Sequence, residues 1–471
     1  MGEFVHIDAL GPQGSYRARD RKPLTALSGA VIGEISQVPP LYVRRALTAM
    51  RKAPVLPAAE RFAVLERAAD LFAEAEIGGL GPDDYAQLVC VASGVPLAVV
   101  RQSVQWVADV LREQRATLEL AMPKGAVADW QDRRTLGGCA VWTRKGDLFA
   151  VHAAGNTPAV HGLWPEALAL GYKVAVRPST REPYTAFRLV SALRMAGLPP
   201  ELVTLLPTDY EAADVLVAES DFAIVYGGQE VVDKYGGSAR VLTQGPGRSK
   251  ILVTSDVNWR EKVALIAESV SHLGGTACTC TTAVLVEGDP EPLALALAAE
   301  LGAIPSLPPE HPDAILTVQP TESAAAMDRY LHRVAGETRP LLGGDTIVDE
   351  VSPGAAVLRP AVHLVGSSAA PQLGVELAFP CVWVGPWSPA DGVAPLRDSL
   401  VLTAMTRRRD LIDALLDEPT ITNLYLGDNP TTWLRPGVPH DSYLGEFLMR
   451  TKGMIRSAEA EAVAGPVAPG R

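Results

Sequence analysis

Between Leu148 and Val253 short apolar runs of strand character alternate with runs of helical period, and this alternation restricts the fold more than any other feature of the chain. The strand-like runs are 148–153, 173–177, 202–206, 221–226 and 239–243. The helical runs are 159–170, 184–196, 210–219 and 230–235. Strands joined through helices of this length must lie parallel, with right-handed crossovers, so the spacing predicts a doubly wound α/β sheet. Such sheets hold ligands at the carboxyl ends of their strands. Those ends carry the loops Gly155-Asn156-Thr157-Pro158, Arg177-Pro178-Ser179-Thr180, Pro207-Thr208 and Gly227-Gly228-Gln229. None of them is a Gly-x-Gly-x-x-Gly fingerprint or a P-loop.

With 471 residues there is length for more than one domain, and 48% hydrophobic against 20% charged residues is the balance of a globular protein. The net charge of −12, with no basic cluster, argues against nucleic acid or an anionic membrane as the main partner. The start of the chain has neither a basic segment nor an apolar one, and no apolar run spans a bilayer. Five cysteines without framework spacing suit a reducing compartment. These features predict a cytoplasmic protein.

Before the alternating region, residues 22–36 read as a strand pair. Helical periodicity follows over 41–51, 58–75 and 96–113, a packing layer to which no chemistry is assigned. Residues 123–145, carrying Trp130 and Trp142, read as a ribbon that either meets another subunit or packs on its own domain. A second α/β unit begins near residue 250, with a strand at 250–254, a helix at 259–273, a strand at 283–286 and a helix at 291–301. A further helix is expected over 396–416, and the Ala/Glu/Pro/Gly-rich tail from Ser457 is expected to fray.

Inside the second unit, His272-Leu-Gly-Gly-Thr-Ala-Cys278-Thr-Cys280 ends in a β-branched strand. A thiol on such a loop can be reactive, or it can be a small buried hydrophobe. The residues leave both cysteines open as the nucleophile. Metal binding is not expected, since Cys278 and Cys280 lack the usual two-residue gap and a matching second pair. His152 and His161 near the Asn156 loop read as structural groups. His272 and the His440-Asp441 pair carry no assigned role.

Taken together, the loops resemble those of the aldehyde dehydrogenase superfamily. The matching features are Gly155-Asn156 after a strand, a basic residue opening Arg177-Pro-Ser-Thr180, Gly227-Gly228 after a strand, and a cysteine loop ahead of Glu376-Leu-Ala-Phe379. His152-Ala-Ala-Gly-Asn156-Thr-Pro158, Tyr226-Gly227-Gly228, Gly245-Pro-Gly-Arg-Ser249, Ala277-Cys278-Thr279 and Phe379-Pro380-Cys381 more closely resemble the LuxC-like acyl reductases, the fatty-acyl reductase subunit type. The resemblance implies an α/β fold with three parts. These are an NAD(P)-binding domain over 1–122 and 147–248, a catalytic domain over 249–445, and an oligomerisation arm with C-terminal tail over 123–146 and 446–471. It implies Cys278 as nucleophile, with the Asn156 amide and the Cys278 N–H as oxyanion donors. Cofactor contacts fall on Ala154, Gly155, Arg177, Ser179, Thr180, Gly227, Gly228, Val231, Gly245, Glu376 and Phe379, the last two displaced by a residue from the family spacing.

Two departures shape the expected reaction. The position of the family's water-activating glutamate holds Gln244, and an amide cannot act as a general base. An acyl-cysteine should then leave by hydride reduction or thiol exchange rather than hydrolysis. The family's lysine and ribose-binding acid become Arg177 and Thr180, which favours NADP(H) over NAD(H). The sequence thus predicts NAD(P)H-dependent reduction of an activated carboxylate to an aldehyde. The alternatives are oxidation of an aldehyde to an acid or acyl thioester, and a non-catalytic binding subunit. Expected partners are a small acyl or aldehyde substrate, an acyl-activating protein and further copies of the chain.

Overall fold

The computed structural model describes residues 4–439 and 442–457, so His440, Asp441 and the tail beyond Ser457 lie outside the described residues. Two seven-stranded sheets form its frame. The first runs in the order Val241–Gln244, Phe222–Tyr226, Leu148–His152, Lys173–Arg177, Val203–Leu205, then the hairpin Ala9–Gly11 and Gly14–Tyr16. The first five are mutually parallel, and the hairpin adds an antiparallel edge. Connections leave the Leu148–His152 strand towards both edges, which creates a switch point beside Phe222–Tyr226. The loops bearing Asn156 and Gly227 emerge next to each other for that reason.

The second sheet runs Arg339–Leu342, Ala361–Leu364, Cys381–Trp387, Thr281–Glu287, Ser249–Val253, Ser399–Met405, Ile421–Leu426. Every pairing in it is parallel except that of Arg339–Leu342. Its central strands are buried along almost their whole length. That burial explains their near-continuous Val, Ile, Leu and Ala content, because a parallel sheet is covered on both faces. Loops at the carboxyl ends of the first sheet and at the amino ends of the second meet between the two cores.

Helices Pro40–Lys52, Ala58–Glu74 and Leu97–Arg112 occupy the predicted spans to within two residues. Helices Pro82–Ser93 and Gln114–Ala121 were not expected. The ribbon consists of Ala126–Val127 and Cys139–Arg144, extended by Met449–Met454 from the far end of the chain. Among the described residues, no helix is long and apolar enough to cross a membrane.

Two expectations need correction. The helix expected over 396–416 is the strand Ser399–Met405 followed by the shorter helix Arg409–Leu416. The strand's segment is almost wholly buried and paired on both sides, and an apolar run with no exposed face carries no period to tell strand from helix. The helix expected over 159–170 is a 3-10 turn, Pro158–Gly162, and a separate helix, Pro165–Ala169. Pro165 has no N–H to continue the earlier turn, but it suits the first position of a new helix.

Candidate active site

A cavity of about 680 Å³ lies where the two sheets' loops meet. Of the predicted positions, Ala154, Gly155, Asn156, Ser179, Gly227, Gly228, Gly245, Cys278 and Glu376 line it, and so do Gln244 and His272. Residues separated by more than two hundred positions in the chain thus share one wall.

The cysteine wall is set by its backbone. Leu273, Gly274 and Gly275 all adopt left-handed conformations, and for Leu273 (φ 49°, ψ 34°) that costs about 1–3 kcal/mol. The glycines are required by close packing as well as by φ. A Cβ on Gly275 would collide with Pro380, and one on Gly274 with the Ile315 carbonyl. On the other side, Gly247 packs so closely on the Cys278 carbonyl that no side chain fits, and Ser249 Oγ donates to that carbonyl at 3.0 Å. The peptide of Cys278 is therefore held from both directions.

The two thiols differ sharply. Cys278 is half-buried and lines the cavity. Cys280 is 3% exposed, its Sγ donates to the His272 carbonyl at 3.2 Å, and burial, reinforced by the Glu376 charge, pushes its thiol up to about 12. A thiol in that state supplies almost no thiolate near neutrality. No disulfide forms among the five cysteines.

Asn156 reaches from a loop of the first sheet to the cysteine loop of the second. Its Nδ2 donates to the Thr276 carbonyl at 3.1 Å, two residues before Cys278, which fixes which side of the amide carries nitrogen. An amide nitrogen has two hydrogens, so a second donor remains for an anion beside the thiol. Its Oδ1 is buried without a partner.

Glu376 accepts a 2.7 Å hydrogen bond from the backbone N–H of Arg248, itself left-handed at φ 49°. Burial pushes its carboxyl up to about 7. Phe379 does not line the cavity: it is 3% exposed and packs in the hydrophobic core of the second domain. The extra residue between Glu376 and Phe379 turns the ring into the core and brings Leu377 and Ala378 to the cavity instead.

At the cofactor end the backbone makes room. Added Cβ atoms would strike Ser179 from Gly155, Val231 from Gly227 and Val232 from Gly245. Val231 is therefore packing behind the glycine loop, and it is not among the lining residues. Arg177 ends its strand with its guanidinium 5.4 Å from the exposed Tyr210 ring and with Nε buried and unpartnered. Burial lowers its pKa. Arg177 and Thr180 stand outside the cavity lining, and Thr180 is exposed. The Gly228 N–H is taken by the Glu230 carboxylate at 3.2 Å. The space left by the absent Cβ atoms and the orphaned guanidinium nitrogen are features that a polyanionic nucleotide can use.

The histidines divide as follows. His152 and His161 are buried, bonded to the Ala213 carbonyl and to Trp164 Nε1, and burial takes both down to about 4. His272 faces the cavity. Sequence reasoning missed the wall made by Trp106, Val110, Gln114, Thr117 and Glu166. Its helices carry an ordinary amphipathic pattern, and the buried polar residues Gln114, Thr117 and Glu166 on apolar faces are the signal that more is there.

A curated aldehyde-dehydrogenase-like protein of Sinorhizobium fredii is 24% identical over 302 residues, covering 60% of this chain and 56% of that protein. N-succinylglutamate 5-semialdehyde dehydrogenase of Yersinia pestis is 26% identical over 213 residues, covering 42% of this chain and 41% of that protein. The matched stretches thus span about half the length of these curated relatives. In fold, the chain is similar to the NAD-dependent aldehyde dehydrogenase of Sinorhizobium meliloti, with a TM-score of 0.80 at 18% identity over 99% of this chain and 96% of that one. It is similar also to gamma-glutamyl-gamma-aminobutyraldehyde dehydrogenase of Burkholderia cenocepacia, at 0.79 and 19% over 95% and 96% of the two chains. A sequence profile of the aldehyde dehydrogenase family matches residues 22–379, and the chain belongs to that family.

Proposed function

We propose that the chain interconverts an aldehyde and an acyl group carried on Cys278, and that the acyl group is exchanged with a thiol rather than with water. The observation that carries this reading is that Cys278, Asn156 and Gln244 line one cavity. The thiolate of Cys278 adds to the substrate carbonyl, and the oxygen that gains charge is met by the Asn156 amide and the Cys278 N–H. Two preorganised donors in a water-poor site stabilise such an anion by about 3–4 kcal/mol each. When bound, a nicotinamide cofactor takes hydride in the oxidising direction and gives it in the reducing one. Ala154, Gly155, Ser179, Gly227, Gly228 and Gly245 would hold it, with Arg177 at the adenosine end and Glu376 at the nicotinamide end. Gln244 offers no base to draw a proton from water, so an incoming thiol, which ionises more readily, takes the acyl group as Cys278 leaves.

The names of the relatives support oxidation of an aldehyde, and Gln244 in place of a general base is what favours a thioester over a free acid as the product. Gln244 favours a second reading, reduction of an activated carboxylate as in the LuxC-like enzymes, with a partner protein supplying the acyl group. The orphaned Nε of Arg177 and the lack of a carboxylate at Thr180 support NADP(H) over NAD(H). The ribbon Cys139–Arg144 with Met449–Met454 would serve homo-oligomerisation, and a working thiol suits the reducing cytoplasm.

Product analysis tests the reading. With an aldehyde panel and NADP⁺, coenzyme A should accelerate nicotinamide reduction and appear as acyl-CoA. Equal rates with and without thiol, with free acid as product, would overturn it.

A further inference from the structure

Among the residues that line the cavity, one buried amide oxygen stands without a partner and one buried carboxylate is met by backbone donors alone. Gln114, at the start of helix Gln114–Ala121, is 2% exposed and lines the cavity. Its Nε2 donates to the Val110 carbonyl at 3.1 Å, and its Oε1 is buried without a partner. Turning the amide over would set oxygen against oxygen at Val110, so the orphan is the carbonyl oxygen. Glu166 is 5% exposed and lines the same cavity from helix Pro165–Ala169, which packs against Gln114–Ala121. Its carboxylate accepts from the Gly445 N–H at 3.0 Å and from the backbone N–H of Leu444.

A buried acceptor left unpaired costs about 1–3 kcal/mol, so the orphan amide oxygen asks for a donor from outside the protein, and a carboxylate on the adjoining helix lines the same cavity. Among the described lining residues, Arg435 alone carries a fixed positive charge, and it is exposed. We infer that Gln114 and Glu166 form a donor-seeking subsite that selects substrates bearing an amine or hydroxyl at the end remote from the reacting carbon. Burial raises the Glu166 carboxyl to about 7, and an ammonium would return it to the ionised form. The inference rests on Cys278 as the acyl-carrying thiol, which sets the reacting end of the substrate elsewhere in the same cavity.

Protection of Cys278 from iodoacetamide, read by peptide mass spectrometry, tests the subsite without turnover. Amino alcohols and diols are compared with alkanols of equal length, on wild type, Glu166→Gln and Gln114→Leu. At one chain length a donor-bearing compound should protect at about ten-fold lower concentration than its alkanol, because a polar site rejects the analogue that leaves it unpaired. Each substitution should shrink that advantage to about two-fold and leave alkanol protection within about two-fold of wild type. Glu166→Gln keeps an oxygen for the Gly445 N–H, and a melting curve within a few degrees of wild type shows that the local fold is retained. Amines as the better class would assign the site to ammonium, and diols to hydroxyl. Equal protection by all three classes, an advantage that survives both substitutions, or an equal loss for alkanols and donors would overturn the inference. A donor advantage in a protein that turns over no aldehyde would uphold the subsite and sink the proposed activity instead.

Discussion

The two ends of the cavity are built by different means. At the cysteine end, position is fixed in the backbone. Three consecutive left-handed residues precede the loop, Gly275 and Gly247 admit no side chain, and Ser249 holds the Cys278 carbonyl. At the cofactor end the backbone only clears space, and the charged side chains nearby, Arg177 against the Tyr210 ring and Glu230 on the Gly228 N–H, stand outside the cavity lining. A reacting centre tolerates displacement of well under an ångström, whereas a charged phosphate can be met by a flexible cation. Substitutions at the first end should therefore change rate by orders of magnitude. Those at the second should shift preference by smaller factors.

The largest effect separates the two thiols. Cys278→Ala should lower turnover by about 10³-fold or more, since the covalent route is lost. Cys280→Ala should keep activity within about three-fold and lose about 1–2 kcal/mol of stability from its buried site. Steady-state nicotinamide absorbance with a melting curve for each variant decides it, and equal losses would erase the distinction between the thiols. Next comes Asn156→Ala, expected to cost about 10²–10³-fold in kcat with little change in KM, because the donor acts on charge that develops during reaction. A loss confined to KM would mean that Asn156 only ties the two domains together through Thr276.

How much of this was legible in the sequence follows the same division. The parallel sheet was readable because alternation with helices leaves a parallel arrangement as the solution, and the glycines at 155, 227, 228, 245 and 275 marked where an added Cβ would collide. The residues lost to view were those whose surroundings come from distant segments. Phe379 looked like a ligand contact but turns into the core through one extra residue. Ser399–Met405 carries no polar face to show a period. Gln114 and Glu166 sit in helices whose pattern is that of ordinary packing, and their place on one cavity depends on the packing of two elements some fifty residues apart. Matching loop residues singled out Cys278, while the burial that silences Cys280 became visible only when the chain around it was folded.

Gln244 stands between the two ends, and its replacement sharpens the contrast. Gln244→Glu should raise free-acid formation from aldehydes by about ten-fold while thioester formation falls, as a carboxylate can take a proton from water. The check is quantitative analysis of acid and thioester from one reaction, and unchanged partition would show that access of water, not a base, limits hydrolysis. At the cofactor end, Arg177→Gln should weaken NADPH about ten-fold in KM and NADH by no more than about two-fold, consistent with loss of one charge-assisted contact. An equal change for both would assign Arg177 to the adenine or ribose rather than to a 2′-phosphate.

The smallest effect concerns the layer beneath the cofactor loop. Glu182 accepts from the Thr185 N–H at 2.8 Å at the start of helix Tyr184–Met195, yet its other oxygen is buried and unpartnered, and burial raises its carboxyl to about 7 from the ordinary 4.5. Below pH 4.5 the group is neutral folded or unfolded. As pH rises from 4.5 to about 7 only the unfolded chain ionises there, so stability falls across that window, and above it the loss stays constant. Glu166 and Glu376 are raised for the same reason and add to the fall. Glu182→Gln keeps an acceptor for Thr185 and removes the titration. Its stability relative to wild type should rise by about 1 kcal/mol between pH 5 and pH 8, less than direct conversion of the shift, because a buried carboxyl forced to ionise draws in water. Melting temperatures of both proteins at the two pH values measure it. A difference that does not grow with pH would mean that the carboxylate is matched in the folded chain, and that the cofactor end rests on a foundation as fully paired as the cysteine wall.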